Sequence, residues 1–136
     1  MSESVVQLSF PAKPDYLLLA RLALAGVART LELEDEEVAD LKLAVTEAVA
    51  NAVRHAYPED SAGRVTVELT AAAGRLEIAV SDQGRGLRDA EVLQADGRGR
   101  GESGMGLSII RAIADEVDVG AGPDGRGTLV RFACAL

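Results

Sequence analysis

A carboxylate and an amide lie one helical turn apart in the segment AVTEAVANAVRHAY, residues 44–57. Glu47 and Asn51 are four residues apart, so on a helix their side chains share one face. An amide oxygen suits Mg²⁺, which keeps several waters and takes further oxygens from a nucleotide. A carboxylate one turn away can accept the proton of an attacking hydroxyl or water. Taken alone, such a pair is more often a solvated helix face, so its interpretation as a ligand site depends on the other motifs.

Three further segments contain residue types that suit a nucleotide. Asp82 ends an alternating apolar run, where its carboxylate can accept from an exocyclic amine such as that of adenine, and it is followed by QGRG. The sequence GMG, residues 104–106, opens a predicted helix, whose N-terminal N–H groups and dipole favour phosphate. The sequence GRGT, residues 125–128, enters the last predicted strand. Each segment alone could be an ordinary turn, but the four together predict a nucleotide site.

Hydrophobic periodicity predicts the elements that position these groups. The predicted strands are 5–10, 64–70, 75–82, about 117–121 and 127–136, and the predicted helices are 15–30, about 34–57 and 105–117. The last helix is predicted from the helical spacing of Leu107, Ile110, Ile113, Ala114 and Val117. Short hairpins between the strands predict an α+β fold, a two-layer sandwich with a mainly antiparallel mixed sheet and helices packed on one face.

Composition limits the classes of protein that the chain can belong to. Its 136 residues predict a single domain, 1–136, and its net charge of −8 argues against nonspecific nucleic-acid binding. The N-terminal sequence resembles no signal peptide and contains no apolar run long enough for a membrane. The single cysteine, Cys134, cannot form an internal disulfide and alternates with Val130 and Phe132, which indicates a core position. We therefore expect a cytoplasmic protein that binds neither nucleic acid nor membrane.

The four segments, in this order, resemble the Bergerat-type ATP-binding domain shared by gyrase-type topoisomerases, Hsp90, histidine kinases and MutL proteins. Within that group, TEAVANAVRHAY, SDQGRGL, ESGMGLSII and GRGTLVRF are most similar to the anti-sigma-factor serine kinases of bacterial partner-switching systems. The resemblance covers nearly the whole chain. It implies that Glu47 is the general base, that Asn51 ligates Mg²⁺, and that Asp82 binds adenine. The ATP-binding positions that it implies are Asn51, Asp82, Gly84, Gly86, Leu87, Gly104, Met105, Gly106, Leu107 and Thr128.

The resemblance also implies a regulatory cycle. Such a kinase, usually a homodimer, sequesters a sigma factor and uses Mg-ATP to phosphorylate a serine of an anti-anti-sigma antagonist. A homodimer is expected on physical grounds too, because helix 15–30 is apolar over most of its circumference and strand 5–10 would leave an exposed edge. Arg21 lies where the family carries a partner-contacting arginine, although a solubilising role for this residue is as plausible.

The predicted ATP lid, residues 85–104, departs from the pattern of the family. The better-known members carry a Pro-Leu-aromatic stretch and a basic residue before Ser-Gly-Met-Gly, whereas this chain has VLQADGRGRGE with Glu102 at the basic position. Arg98 and Arg100 either supply the missing positive charge or keep the loop soluble. His55 either approaches the phosphates or packs at the end of its helix. These alternatives stay open at the level of the sequence.

Three other functional classes are alternatives to the serine kinase, and the sequence disfavours two of them. The catalytic domain of a histidine kinase is disfavoured, because no phosphoacceptor helix precedes the motifs and the only histidine, His55, lies inside one of them. An ATP-gated protein-binding module without kinase activity is disfavoured by the intact Glu47 and Asn51. A related switch kinase that acts on a scaffold protein stays an alternative.

Overall fold

The computed structural model describes residues 3–56, 63–82, 101–122 and 127–136. Its elements are β1 (Ser4–Pro11), a short 3₁₀ helix (Pro14–Tyr16), α1 (Leu17–Thr30), α2 (Asp35–Ala56), β2 (Arg64–Ala72), β3 (Arg75–Asp82), α3 (Gly101–Ile113), β4 (Glu116–Ala121) and β5 (Thr128–Ala135). No helix in these described ranges is long and apolar enough to cross a membrane.

The described strands form one sheet in the order β1-β2-β3-β5-β4. Every pairing among them is antiparallel, and β2 and β3 form the predicted hairpin. The alternation of apolar residues along β2 and β3 places one row of side chains in the core. That row consists of Val65, Val67, Leu69, Leu76, Ile78 and Val80. The predicted two-layer α+β fold is confirmed, with a sheet that is antiparallel wherever the structure describes it.

Helix α2 lies between α1 and α3 and packs on β3. Its buried stripe has helical spacing and contains Leu41, Ala44, Val45, Ala48 and Val49. The helix begins with an acidic turn, which complements its dipole, and the N–H of Glu34 donates to Oε1 of Glu37 at 3.1 Å. The small alanines allow α2 to pack closely between its neighbours, so its polar face is held at a fixed position on the sheet.

The turn between α1 and α2 contains a residue in the left-handed region. Glu32 has φ 57°, its N–H donates to the carbonyl of Arg29, and the N–H of Leu33 donates to the carbonyl of Ala28. These two bonds form a Schellman motif, in which the left-handed position is usually glycine. The chain therefore tolerates a conformational cost here to end α1 and start α2.

The predicted bounds of the third helix were wrong at both ends. The structure has α3 at Gly101–Ile113 instead of 105–117, and Val117 lies on β4. The chain already pairs with β5 at Asp115, whose N–H donates to the carbonyl of Ala133 at 2.9 Å. The carboxylate of Asp115 accepts from the N–H of Ala135 at 2.6 Å. These long-range bonds end the helix, although the apolar spacing continues.

Cys134 lies in the core on β5, as predicted from its alternation with Phe132. Burial raises the pKa of its thiol, so the neutral form is favoured. A buried thiol whose neutral form is favoured behaves as a small apolar packing residue.

Candidate functional site

Helix α2 presents Glu47 and Asn51 on one face, one turn apart, as the spacing predicted. Both residues are half-buried, whereas Ala48 and Val49 between them are fully buried against the core. The two polar groups therefore lie at the boundary of the packed helix, where they are positioned by the core and still accessible to a ligand.

The amide oxygen of Asn51 already accepts a hydrogen bond from a cation. Oδ1 of Asn51 lies 3.0 Å from Nη2 of Arg54, one turn further along α2. An amide oxygen is nevertheless a ligand type that suits a hard cation such as Mg²⁺. Among the described residues, no three His, Cys, Asp or Glu side chains cluster around a possible metal position.

Asp82 and Thr128 lie at the same end of two neighbouring strands. Ser81 pairs with Leu129, so extending this antiparallel register by one residue places Asp82 opposite Thr128. Their side chains are only 3% and 9% exposed, although both are polar. The structure thus brings together the two residues that the resemblance assigns to adenine recognition, on the side of the sheet that the helices cover.

Gly127 makes this close approach possible. It has φ +68°, and a Cβ added to it would lie 2.7 Å from both the carbonyl carbon and Oδ1 of Asp82, and closer still to the carbonyl oxygen. Real Cβ contacts of this kind essentially do not occur, so only glycine fits here. Gly127 was not among the predicted site residues, although it lies in the GRGT motif.

The GMG segment lies inside α3 and does not precede it. The backbone is helical from Gly101, so residues 104–106 occupy the first turns of the helix, and the predicted helix start was wrong. Glycine costs about 1 kcal/mol relative to alanine in a helix, which is too little to end a helix that packs on its neighbours. Leu107 is buried in the core, so this predicted nucleotide residue contributes packing.

Several predicted site residues lie outside the described parts of the chain. These are Gly84, Gly86 and Leu87, together with the lid up to residue 100 and both of its arginines. The side chains of His55, Glu102 and Met105 likewise lie outside what is described. The remainder of the predicted lid, 101–104, is the beginning of α3.

Arg21 is exposed on α1, away from the buried stripe of that helix. It lies between Leu18 and Leu22, each of which is 57% exposed. A cation among exposed leucines is unusual for a purely solvated helix face, and it indicates a surface with both apolar and charged contacts.

The family model described as "Histidine kinase-like ATPase domain" matches residues 10–134. The chain belongs to this family. It is 36% identical over 126 residues to a serine-protein kinase RsbW of Bacillus licheniformis. This match covers 84% of this chain and 76% of the relative. A serine-protein kinase RsbW of Listeria monocytogenes is 37% identical over 127 residues, and this match covers 82% of this chain and 76% of the relative.

The fold of this ATPase-family chain also matches a solved structure. The crystal structure of the RsbU and RsbW domains of a Mycobacterium tuberculosis protein has a TM-score of 0.70 and 24% identity, and the match covers 98% of this chain and 32% of that one. Together, these comparisons confirm the resemblance to the partner-switching serine kinases and the predicted fold class. They also confirm the predicted enzyme class, an ATP-dependent protein serine kinase.

Proposed function

We propose that this kinase binds Mg-ATP, sequesters a sigma factor, and transfers the γ-phosphate to a serine of an anti-anti-sigma antagonist. The observation that carries this proposal is the pair of half-buried polar residues, Glu47 and Asn51, on the helix that packs on β3. The relatives named serine-protein kinase support the serine as acceptor.

In this proposal, Asp82 and Thr128 recognise adenine. The carboxylate of Asp82 is a hydrogen-bond acceptor, and the exocyclic amine of adenine supplies a donor that matches it. Thr128 lies beside it at the end of β5 and supports the same contact. Asn51 holds Mg²⁺, which neutralises charge on the phosphates when it is bound. The backbone N–H groups at the beginning of α3 are suited to phosphate oxygens.

Glu47 acts as the general base. It accepts the proton of the serine hydroxyl while the serine oxygen bonds to the γ-phosphorus and the bond to the β–γ bridging oxygen breaks. The products are phosphoserine and ADP, and the proton stays on Glu47 until it passes to water. Since Glu47 is only half-buried, solvent can remove this proton after each turnover.

We further propose that the exposed face of α1 around Arg21 contacts the protein partners. The net charge of −8 favours a partner with a basic surface, and the exposed leucines supply apolar contact area. A pull-down from cell extract, with and without ATP, tests this surface. Arg21→Ala should lose a partner that wild type retains, and equal recovery of every partner by both proteins would exclude Arg21.

We also propose a homodimer built from β1 and α1. β1 is an edge strand of the described sheet, and Val5 and Val6 on it are 53% and 40% exposed. Leu18, Leu19 and Leu22 expose further apolar surface on α1. An edge strand next to exposed apolar side chains is a common place for association.

The experiment that tests the proposed function is transfer of labelled γ-phosphate from Mg-ATP to a candidate antagonist, with the modified residue located by mass spectrometry. We expect phosphoserine on the antagonist. A protein that binds ATP and its partner yet modifies no serine would be an ATP-gated binding module. Transfer to a scaffold protein alone would identify the related switch kinase.

A further inference from the structure

One exposed leucine lies in the same row as the polar pair of α2. Leu43 precedes Glu47 by four residues, as Glu47 precedes Asn51, so the three side chains follow one another along one side of the helix. Leu43 is 45% exposed, and it is the large apolar residue that the described part of α2 leaves exposed. Single exposed leucines are common on protein surfaces, so the meaning of this one depends on which ligand lies next to it.

The direction of α2 determines which side of Glu47 the nucleotide occupies. The ring of Tyr16, just before α1, stacks on Phe10 with 6.3 Å between the ring centroids. Phe10 pairs with Val65, and Val65 pairs with Asp82, so α1 begins at the end of the sheet that carries Asp82. Helix α2 follows α1 after a short turn and packs against it, so α2 runs back toward that end. The later residues of α2 therefore lie toward the proposed adenine site.

The geometry of phosphoryl transfer then places the acceptor on the other side of Glu47. The attacking and leaving oxygens lie roughly in line, on opposite sides of the γ-phosphorus. In the proposed function the leaving group, ADP, lies toward Asn51 and Asp82. The serine hydroxyl must reach Glu47 from the opposite direction, which is the direction of Leu43.

We propose that Leu43 is a specificity-determining residue for the phosphoacceptor, and that an apolar side chain next to the acceptor serine packs on it. One helical turn separates Leu43 from Glu47, about 6 Å along the axis, because each residue of a helix rises about 1.5 Å. An extended chain advances about 3.3 Å per residue, so the apolar side chain should lie within about two residues of the serine. The inference rests on the proposed function, and it adds a sequence requirement for the protein substrate.

Steady-state phosphotransfer tests the contact, with Mg-ATP and the antagonist protein on which wild type forms phosphoserine. Leu43→Ala should raise the KM for the antagonist about three- to tenfold, because apolar contact area is lost. The kcat and the affinity for Mg-ATP should stay close to those of wild type, since the contact holds only the protein substrate. Leu43→Met keeps an apolar side chain of similar volume and should restore the KM to within about twofold.

Leu136→Ala is the matched control for the loss of an exposed leucine. Leu136 is 43% exposed, and it follows β5 at the end of that strand remote from Thr128. This variant should have the KM of wild type.

The contact is tested from the side of the substrate as well. Apolar residues within two positions of the modified serine are changed to alanine, one at a time. One of these changes should raise the KM of wild type by a similar factor. The same change should have little further effect with Leu43→Ala, because the contact is already lost.

Several results would overturn the inference while the proposed function stands. A Leu43→Ala variant with the KM of wild type would do so, as would an antagonist with no apolar residue within two positions of its serine. A substrate change that raises the KM equally for both enzymes would show that the two side chains are not partners. Altered sedimentation or ATP affinity in Leu43→Ala would place the leucine in the dimer interface or the nucleotide site instead. If wild type modifies no serine, the proposed function fails, and the inference fails with it.

Discussion

The contact between Gly127 and Asp82 gives a sharp test of how the proposed adenine end of the site is built. In Gly127→Ala the new methyl group would need φ +68°, which costs an L-residue about 1–2 kcal/mol. It would also overlap the backbone of Asp82, and relief of such overpacking typically costs about 1–3 kcal/mol more. We therefore expect a loss of about 2–5 kcal/mol in the free energy of unfolding.

Urea unfolding followed by circular dichroism measures this loss. With a typical urea dependence of about 1–3 kcal/mol per molar, the midpoint should fall by roughly 1 M or more. Since the methyl group also meets Oδ1 of Asp82, ATP affinity should fall in Gly127→Ala under conditions where the variant is fully folded. Gly120→Ala is the matched control, because a Cβ at Gly120 meets nothing within 4 Å. A Gly127→Ala variant as stable as the control, with the ATP affinity of wild type, would refute the close approach.

Three further predictions follow from other contacts. Glu32→Gly should raise the free energy of unfolding by about 0.5–1 kcal/mol, because relief of the left-handed cost exceeds the added chain entropy; a less stable variant in urea would contradict this. Asp82→Asn should lower the preference for ATP over GTP about tenfold in calorimetry, since a donor replaces an acceptor; an unchanged preference would exclude Asp82 from base recognition. Wild type should sediment as a dimer at micromolar concentration. Val6→Lys, which places a charge on the exposed edge strand, should sediment as a monomer. A monomeric wild type, with or without ATP, would exclude the β1–α1 dimer.

Local patterns predicted much of this fold. The alternation in residues 64–82 predicted the β2–β3 hairpin and its buried row, and the spacing of Glu47 and Asn51 predicted their common face. Both patterns depend only on the period of the local backbone, which is independent of distant residues. The end of α3 was missed because it depends on hydrogen bonds between Asp115 and β5, a contact between distant parts of the chain.

For the candidate site, as for the fold, local motifs could be predicted from the sequence, whereas contacts between distant residues could not. The nucleotide motifs could be identified by residue type and order, but the overlap that fixes Gly127 depends on how closely two strands approach each other. The bond from Arg54 to Asn51 could have been inferred from a spacing of three, although many such pairs on helices make no contact. The register between β3 and β5, which places Asp82 opposite Thr128, could not be predicted from the sequence.

The central claim is that the polar face of α2 carries out phosphotransfer, and Glu47→Gln tests it most directly. The substitution keeps the shape of the side chain and removes its basicity. A positioned general base typically contributes about 10²–10⁴-fold, so the rate of γ-phosphate transfer to the antagonist serine should fall by that factor. Affinity for Mg-ATP, measured by calorimetry on the same protein, should stay close to that of wild type. Glu36→Gln, in the first turn of the same helix, should transfer phosphate at the wild-type rate. A Glu47→Gln variant that transfers phosphate as fast as this control would show that Glu47 is not the base and would contradict the account.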